Sequence, residues 1–191
     1  MHATPLNITS VRVSREIAGV SEDHAYEQYF FDESTRNELL DLLYARHARP
    51  LFLCAPSLAL DAEARGQSYV LLDRDERFAF LPNFRSLDLE APTTLASVDE
   101  YDAVLCDPPF ANFELANLRK VLDVLAGDDA ARRAAPLYLC YNSRRETAIA
   151  EAFLGSGREL VRWEGGKRGG ALGYTSVKPS TQQHIRLYCE R

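Results

Sequence analysis

The chain has 191 residues, of which 46% are hydrophobic and 26% charged, an ordinary composition for one domain with a full core. The net charge of −6 does not mark a nucleic-acid binder. No apolar run approaches the ~20 residues of a membrane span, and Met1-His2-Ala3-Thr4-Pro5 lacks the basic patch and apolar core of a secretory signal.

Residues 1–27 are polar and without clear period, and read as an N-terminal arm with at most a short strand around Val11-Arg12-Val13. A helix follows, capped by Asp32 or Ser34, with Leu39, Leu40, Leu42 and Leu43 on one face, running to about Ala48. Pro50 ends it. Leu51-Phe52-Leu53-Cys54 reads as a buried strand, followed by Ala55-Pro56-Ser57 and a helical stretch to about Arg65, broken by Gly66. Tyr69-Val70-Leu71-Leu72 is the next strand and ends in Asp73-Arg74-Asp75. A short third strand is expected near Phe84, then Ala103-Val104-Leu105-Cys106, running into Asp107-Pro108-Pro109-Phe110.

Leu115, Leu118, Val121, Leu122 and Leu125 mark a helix closed by Gly127. Leu137 to Tyr141 is a strand, and Asn142-Ser143 leads into a helix from Arg144 to Leu154. Two last strands, Glu159–Glu164 and His184–Cys189, flank a glycine-rich loop beginning Gly165-Gly166-Lys167-Arg168-Gly169-Gly170. Short apolar strands alternating with helices predict an α/β fold with a doubly wound parallel sheet. The two closing strands add an antiparallel pair at one edge. There is no repeat and no linker, so residues 1–191 are expected to form a single domain.

Cysteines at 54, 106, 140 and 189 form no CxxC pair, which argues against zinc and against a disulfide framework. All four fall in predicted strands and read as buried reduced thiols, as in a cytoplasmic or nuclear enzyme. The histidines lack a patterned context, and none is assigned to catalysis.

In a doubly wound sheet, ligands bind at the C-terminal strand ends near the switch point. Cys54-Ala55-Pro56, Asp73 with Asp75, and Asp107 occupy three such ends. Asp73, directly ending an apolar run, is the better candidate for ribose hydroxyls. No G-x-G-x-x-G follows Leu53 and no P-loop occurs, which disfavours NAD and ATP; S-adenosylmethionine has no phosphate and tolerates a glycine-poor loop. Gln28-Tyr29-Phe30-Phe31 is either a hydrophobic staple or a pocket wall. Arg144 and Arg145 follow the fifth strand, and Lys167 and Arg168 sit in the glycine loop. Together they offer phosphate contacts, while Tyr141 and Asn142 border the expected target pocket. Residues Arg158 to Arg191 hold seven Lys/Arg and three Glu, a net of +4, which leaves −10 on the rest of the chain.

The tetrad 107–110 suits transfer to an amine. An exocyclic adenine amine is a poor nucleophile, because its lone pair is delocalised into the ring. It must be held in line with its electrophile by hydrogen-bond acceptors. Asp107 and the Pro108 carbonyl can accept, Pro108 and Pro109 fix the turn, and Phe110 can stack on a base.

Gln28-Tyr29-Phe30-Phe31, Ala55-Pro56-Ser57, Asp73-x-Asp75-x-Arg77-Phe78 and Asp107-Pro108-Pro109-Phe110 together resemble the probable N6-adenine methyltransferase family, over roughly residues 26–190. That family includes a CCHC-zinc-finger ribosomal-RNA adenine methyltransferase and a lysine methyltransferase acting on elongation factor 1A. The resemblance implies a seven-stranded class I (Rossmann-like) fold using S-adenosylmethionine, without metal. Gln28, Tyr29 and Phe30 would close the cofactor pocket and Cys54 to Ser57 would lie along the cofactor. Asp73 and Asp75 would meet its ribose side, with Asp107 to Phe110 at the transferred methyl. It implies N6-adenine methylation of RNA or DNA; the alternatives are a protein lysine acceptor and a catalytically silent partner subunit. The zinc modules of the RNA-modifying relative are absent here.

Overall fold

The computed structural model describes residues 16–92, 100–109 and 113–190. Phe110 and Val11-Arg12-Val13 lie outside the described residues. In chain order the elements are β1 (Glu16–Ile17), β2 (Val20–Ser21), α1 (Glu33–Tyr44), β3 (Pro50–Leu53), α2 (Pro56–Ala64), β4 (Val70–Asp73), β5 (Phe84–Ser86), β6 (Ala103–Cys106), α3 (Leu115–Ala126), α4 (Ala130–Ala134), β7 (Leu137–Asn142), α5 (Glu146–Ala152), β8 (Leu160–Arg162), α6 (Pro179–Gln182) and β9 (Ile185–Glu190). Single 3-10 turns stand at His24–Tyr26, Glu76–Phe78 and Ser143–Arg145.

The main sheet has seven strands in the order β5-β4-β3-β6-β7-β9-β8. Strands β3 to β7 run parallel, and β9 is antiparallel to both β7 and β8, the expected edge pair. Every residue of β3, β4 and β6 is buried. Helices cover both faces, so these strands are continuous apolar runs rather than alternating ones. Successive side chains still point to opposite faces. Phe52, Leu71 and Leu105 join the core under α1 and α2, while Leu53, Leu72 and Cys106 join the core under α3 and α5.

The Asp32 side chain caps α1, accepting from the Thr35 N–H at 2.8 Å, and Leu39, Leu40 and Leu43 are buried on its inner face. The helix stops at Tyr44, short of the expected Ala48. The N–H groups of Ala48 and Arg49 donate to the Asp102 carboxylate at 2.6 and 3.0 Å, which pulls this stretch into the extended lead of β3. The third strand, near Phe84, is present. Cys54 lies one residue past β3, so only three of the four cysteines are in strands.

The arm reading of residues 1–27 does not hold from Val20 onward. Val20 is buried in the core, and the Glu22 side chain, 1% exposed, accepts from the Phe30 N–H at 2.8 Å and Thr175 Oγ1 at 2.6 Å. No helix among the described residues is long and apolar enough to cross a membrane.

Candidate active site

The chain passes outward from β3 through β4 to β5, then returns to the other side of β3 at β6, so the switch point lies between β3 and β6. Beyond their C-terminal ends is a cavity of about 390 Å³, within the usual range of roughly 300–1,000 Å³ for small-molecule sites. Cys54 after β3, Asp73 closing β4, Leu87 to Glu90 after β5 and Asp107 to Pro109 after β6 border it.

Cys54 adopts φ +58°, in the left-handed region where glycine is preferred. That conformation costs of order 1–3 kcal/mol. Its N–H donates to Leu72 O at 2.9 Å, which ties the turn to the neighbouring strand. Burial pushes the Cys54 thiol well above its ordinary range, and the Asp73, Asp107 and Asp88 carboxylates add to the effect. It therefore remains a neutral thiol. Ala55, Pro56 and Ser57 are buried at the start of α2, behind the wall that Cys54 presents.

The two acids after β4 have different roles. Asp75 is a brace. Arg77 donates to it through Nε at 2.8 Å and through Nη2 at 2.7 Å, and Gln28 Nε2 donates to Oδ2 at 2.8 Å. Arg77 Nη2 also reaches Gln28 Oε1 at 3.1 Å, which closes a ring of three side chains. Burial would raise the Asp75 carboxyl, but the Arg77 and Gln28 hydrogen bonds hold it below its ordinary value. Asp73 is 5% exposed and accepts the Asp75 N–H at 2.9 Å. Burial pushes it up to about 6 despite that hydrogen bond. A buried carboxylate bordering a cavity favours a ligand that donates hydrogen bonds to it.

Asp107 faces the same cavity from β6. Its N–H donates to Leu53 O at 3.0 Å, and its Oδ1 accepts from the Tyr174 hydroxyl at 2.8 Å. Burial raises its carboxyl well above the ordinary range, the Tyr174 hydrogen bond opposes this, and the Asp73 charge reinforces it. Tyr174 is itself 3% exposed and borders the cavity.

Segment 28–32 joins these two halves. Gln28 and Tyr29 border the cavity, whereas Phe30 is fully buried and packs edge-on against Phe78. Phe31 pairs with Tyr174 through an isolated bridge, with ring centroids 4.7 Å apart. The Thr175 N–H donates to Phe30 O, and the Asp32 N–H donates to Gly173 O, both at 2.9 Å.

The residues expected to meet phosphates lie elsewhere. Asn142 caps the following turn, accepting from the Arg144 N–H at 3.0 Å. Arg144 reaches His184 Nε2 at 2.8 Å, and Arg145 lies over the buried Tyr141 ring at 5.7 Å. Arg168 forms an ion pair with Asp32 at 2.7 Å, and the Lys167 backbone is held by Glu38. None of Tyr141, Asn142, Arg144, Arg145, Lys167 and Arg168 borders the cavity. Much of the basic C-terminal end is also neutralised locally, by Arg158–Glu190, Arg162–Glu146 and Arg168–Asp32 pairs.

The cavity also has walls that sequence reading did not single out: Tyr174, Asp23, Glu27, Leu87 to Glu90 and Phe113. Tyr174 was legible only as one aromatic in a long loop. Leu87 and Leu89 alternate with Asp88 and Glu90, a short signal in a stretch of mixed character.

Among the described residues no cluster of three or more His, Cys, Asp or Glu side chains has the arrangement of a metal site.

Solved structures with this fold include a Thermoplasma acidophilum protein, 17% identical over 87% of this chain and 94% of that one, with TM-score 0.50. The methyltransferase domain of bacterial CtHen1 is 10% identical over 83% and 97%, with TM-score 0.55. A Thermus thermophilus branched-chain polyamine synthase, solved with N4-aminopropylspermidine and 5′-methylthioadenosine, is 18% identical over 88% and 58%, with TM-score 0.57. No curated protein sequence matches. The fold is thus that of class I S-adenosylmethionine-dependent methyltransferases. The family described as "Probable N6-adenine methyltransferase" matches residues 22–164, three quarters of the chain, and the chain belongs to that family.

Proposed function

We propose that the protein transfers a methyl group from S-adenosylmethionine to the N6 amino group of adenine in RNA or DNA. The observation that carries this reading is Asp107. It directly follows β6 with Pro108 and Pro109 beside it, and it faces the same cavity as Asp73. The family description supports the choice of acceptor.

The residues present fit the cofactor. Asp73 is a buried acceptor for ribose hydroxyls, Leu87 and Leu89 offer apolar walls for a purine, and the Gln28–Asp75–Arg77 ring fixes the cavity edge. When bound, S-adenosylmethionine supplies an electrophilic methyl on a sulfonium. Asp107 and the Pro108 carbonyl accept hydrogen bonds from the acceptor amine and aim its lone pair. Phe110, outside the described residues, is assigned to stacking on an unpaired or flipped base. After transfer the amine proton leaves to Asp107 or to solvent. Positioning supplies most of the rate, because no side chain reacts covalently.

A second reading is favoured by charge. Among the described residues, Asp23, Glu27, Asp73, Asp75, Glu76, Asp88, Glu90 and Asp107 border the cavity, against Arg74 and Arg77. A phosphate backbone is repelled by such a border, while a lysine side chain is drawn to it. Protein lysine methylation is therefore the alternative.

The deciding assay incubates the protein with tritiated S-adenosylmethionine and whole-cell lysate, one half treated with nuclease and the other with protease. Label lost to nuclease supports adenine. Label lost to protease supports lysine. If the cofactor shows no binding by calorimetry, both readings fail and the silent partner subunit remains.

A further inference from the structure

We infer that Tyr174 is a positioning residue for Asp107: its hydroxyl holds one carboxylate oxygen and leaves the other to the acceptor amine. The inference rests on the amine-methylation reading for its consequence, though not for its geometry.

An isolated aspartate side chain turns freely about two bonds and presents either oxygen. Here Oδ1 is engaged by the Tyr174 hydroxyl at 2.8 Å, from a residue 67 positions away. The donor is itself immobilised. Its ring lies 4.7 Å from Phe31, its backbone bridges Phe31, and the residues on either side bond to Asp32 and Phe30. Gly173 leaves room for the Asp32 and Arg168 side-chain ends, which an added Cβ would have to push aside. The Gly173 N–H donates to Thr35 Oγ1 at 2.9 Å, which anchors the segment to the first turn of α1. Beyond Tyr174, Thr175 and Ser176 both donate to the buried Glu22 carboxylate. The hydroxyl is therefore held by backbone and side-chain contacts on both sides of Tyr174.

The same segment places Gln28 in the ring with Asp75 and Arg77. Acceptor side and cofactor side are therefore set by one stretch of chain, residues 28–32. This gives the aromatic run Gln28-Tyr29-Phe30-Phe31 a role that neither a staple nor a cofactor wall describes: it fixes the distance between the two sides.

The titratable groups facing Asp107 are Asp73 from β4, Cys54 past β3, Cys106 on β6, Cys140 on β7 and Tyr174. Against burial and the Asp73 charge, the Tyr174 hydrogen bond is the influence that favours the ionised form. Loss of the hydroxyl raises the pH at which Asp107 ionises.

The test uses Tyr174→Phe, which keeps the ring on Phe31, and 3,5-difluorotyrosine at position 174, which keeps the hydroxyl and makes it a stronger donor. Carbon-13 NMR of labelled aspartate follows the Asp107 carboxyl in the whole protein, with the signal assigned by Asp107→Asn. The phenylalanine variant is expected to raise the Asp107 midpoint by about one pH unit and the difluoro variant to lower it. Midpoints that coincide in all three proteins overturn the inference, whether or not methyl transfer is found. In steady-state assays with the acceptor pool labelled by the wild type, Tyr174→Phe should lower kcat roughly tenfold to a hundredfold. KM and calorimetric affinity for S-adenosylmethionine should stay nearly unchanged. An unchanged kcat with a weakened cofactor would instead make Tyr174 a wall of the cofactor site. A wild type that labels nothing, with the midpoint still moving as expected, would overturn the methylation reading and not the hydrogen bond.

Discussion

The Tyr174 hydroxyl donates to Asp107 Oδ1 at 2.8 Å, joining the loop before β9 to the turn after β6. Asp107 directly follows a parallel strand, while Tyr174 is held against Phe31 near the N-terminus of α1. The candidate site is thus closed by chain segments from both ends of the sequence, on a sheet that supplies only its floor.

Asp73 gives the cofactor site a pH dependence of known sign. Its carboxyl is raised from 3.8 to about 6 by burial, so the folded protein binds this proton more tightly than the unfolded chain. The stability it contributes is fully present below pH 3.8 and is lost as pH rises through about 6. Asp73→Asn should therefore make the cofactor-free protein more stable at pH 7, by at most on the order of 3 kcal/mol. Ribose hydroxyls donate to the ionised form, so S-adenosylmethionine affinity should fall roughly tenfold per pH unit below about 6 in the wild type. Calorimetry and thermal melts between pH 4.5 and pH 8, run on both proteins, check the two signs.

Gly173→Ala should be destabilising. The new methyl would push aside the Asp32 Oδ2 and Arg168 Nη1 ends of the ion pair beside the cap of α1. A loss of about 1 kcal/mol in urea melts is expected, the order of a weakened cap. A melt within about 0.5 kcal/mol of wild type would mean that the segment bearing Tyr174 has slack.

Charge at the cavity border should sort acceptors. Glu27, Glu76 and Glu90 border it. The triple change to Gln removes three negative charges. If a protein lysine is the acceptor, KM should rise several-fold, most at low salt. If RNA is the acceptor, KM should fall instead. Initial rates at 25 and 250 mM salt separate the two.

Much of this molecule was legible from apolar runs alone. Leu51 to Leu53, Val70 to Leu72 and Ala103 to Cys106 are buried on both faces, so they appear in the sequence as unbroken strands ending in Cys54, Asp73 and Asp107. The antiparallel edge was legible from two closing strands that flank one long loop, although β8 and β9 are only partly buried. What escaped lacks a period. The β1–β2 hairpin has two residues per strand, and α4 and α6 bury no side chain. In the site, the strand-end acids were visible because a carboxylate after an apolar run is conspicuous. Tyr174 was not, because its meaning lies in a contact with a residue 67 positions away. The expected phosphate contacts of Arg144, Arg145 and Arg168 rested on loop position, and the structure gives each a nearby intramolecular partner.

The claim that Asp107 aims an amine at the methyl donor is tested most directly by product analysis. Wild type and Asp107→Ala are each incubated with deuteromethyl S-adenosylmethionine and total RNA, and the digested nucleosides are weighed by mass spectrometry. The account predicts labelled N6-methyladenosine from the wild type and only background from Asp107→Ala. Cofactor affinity of the variant should lie within about threefold of wild type, because the ribose contacts remain. Equal label from both proteins would contradict it.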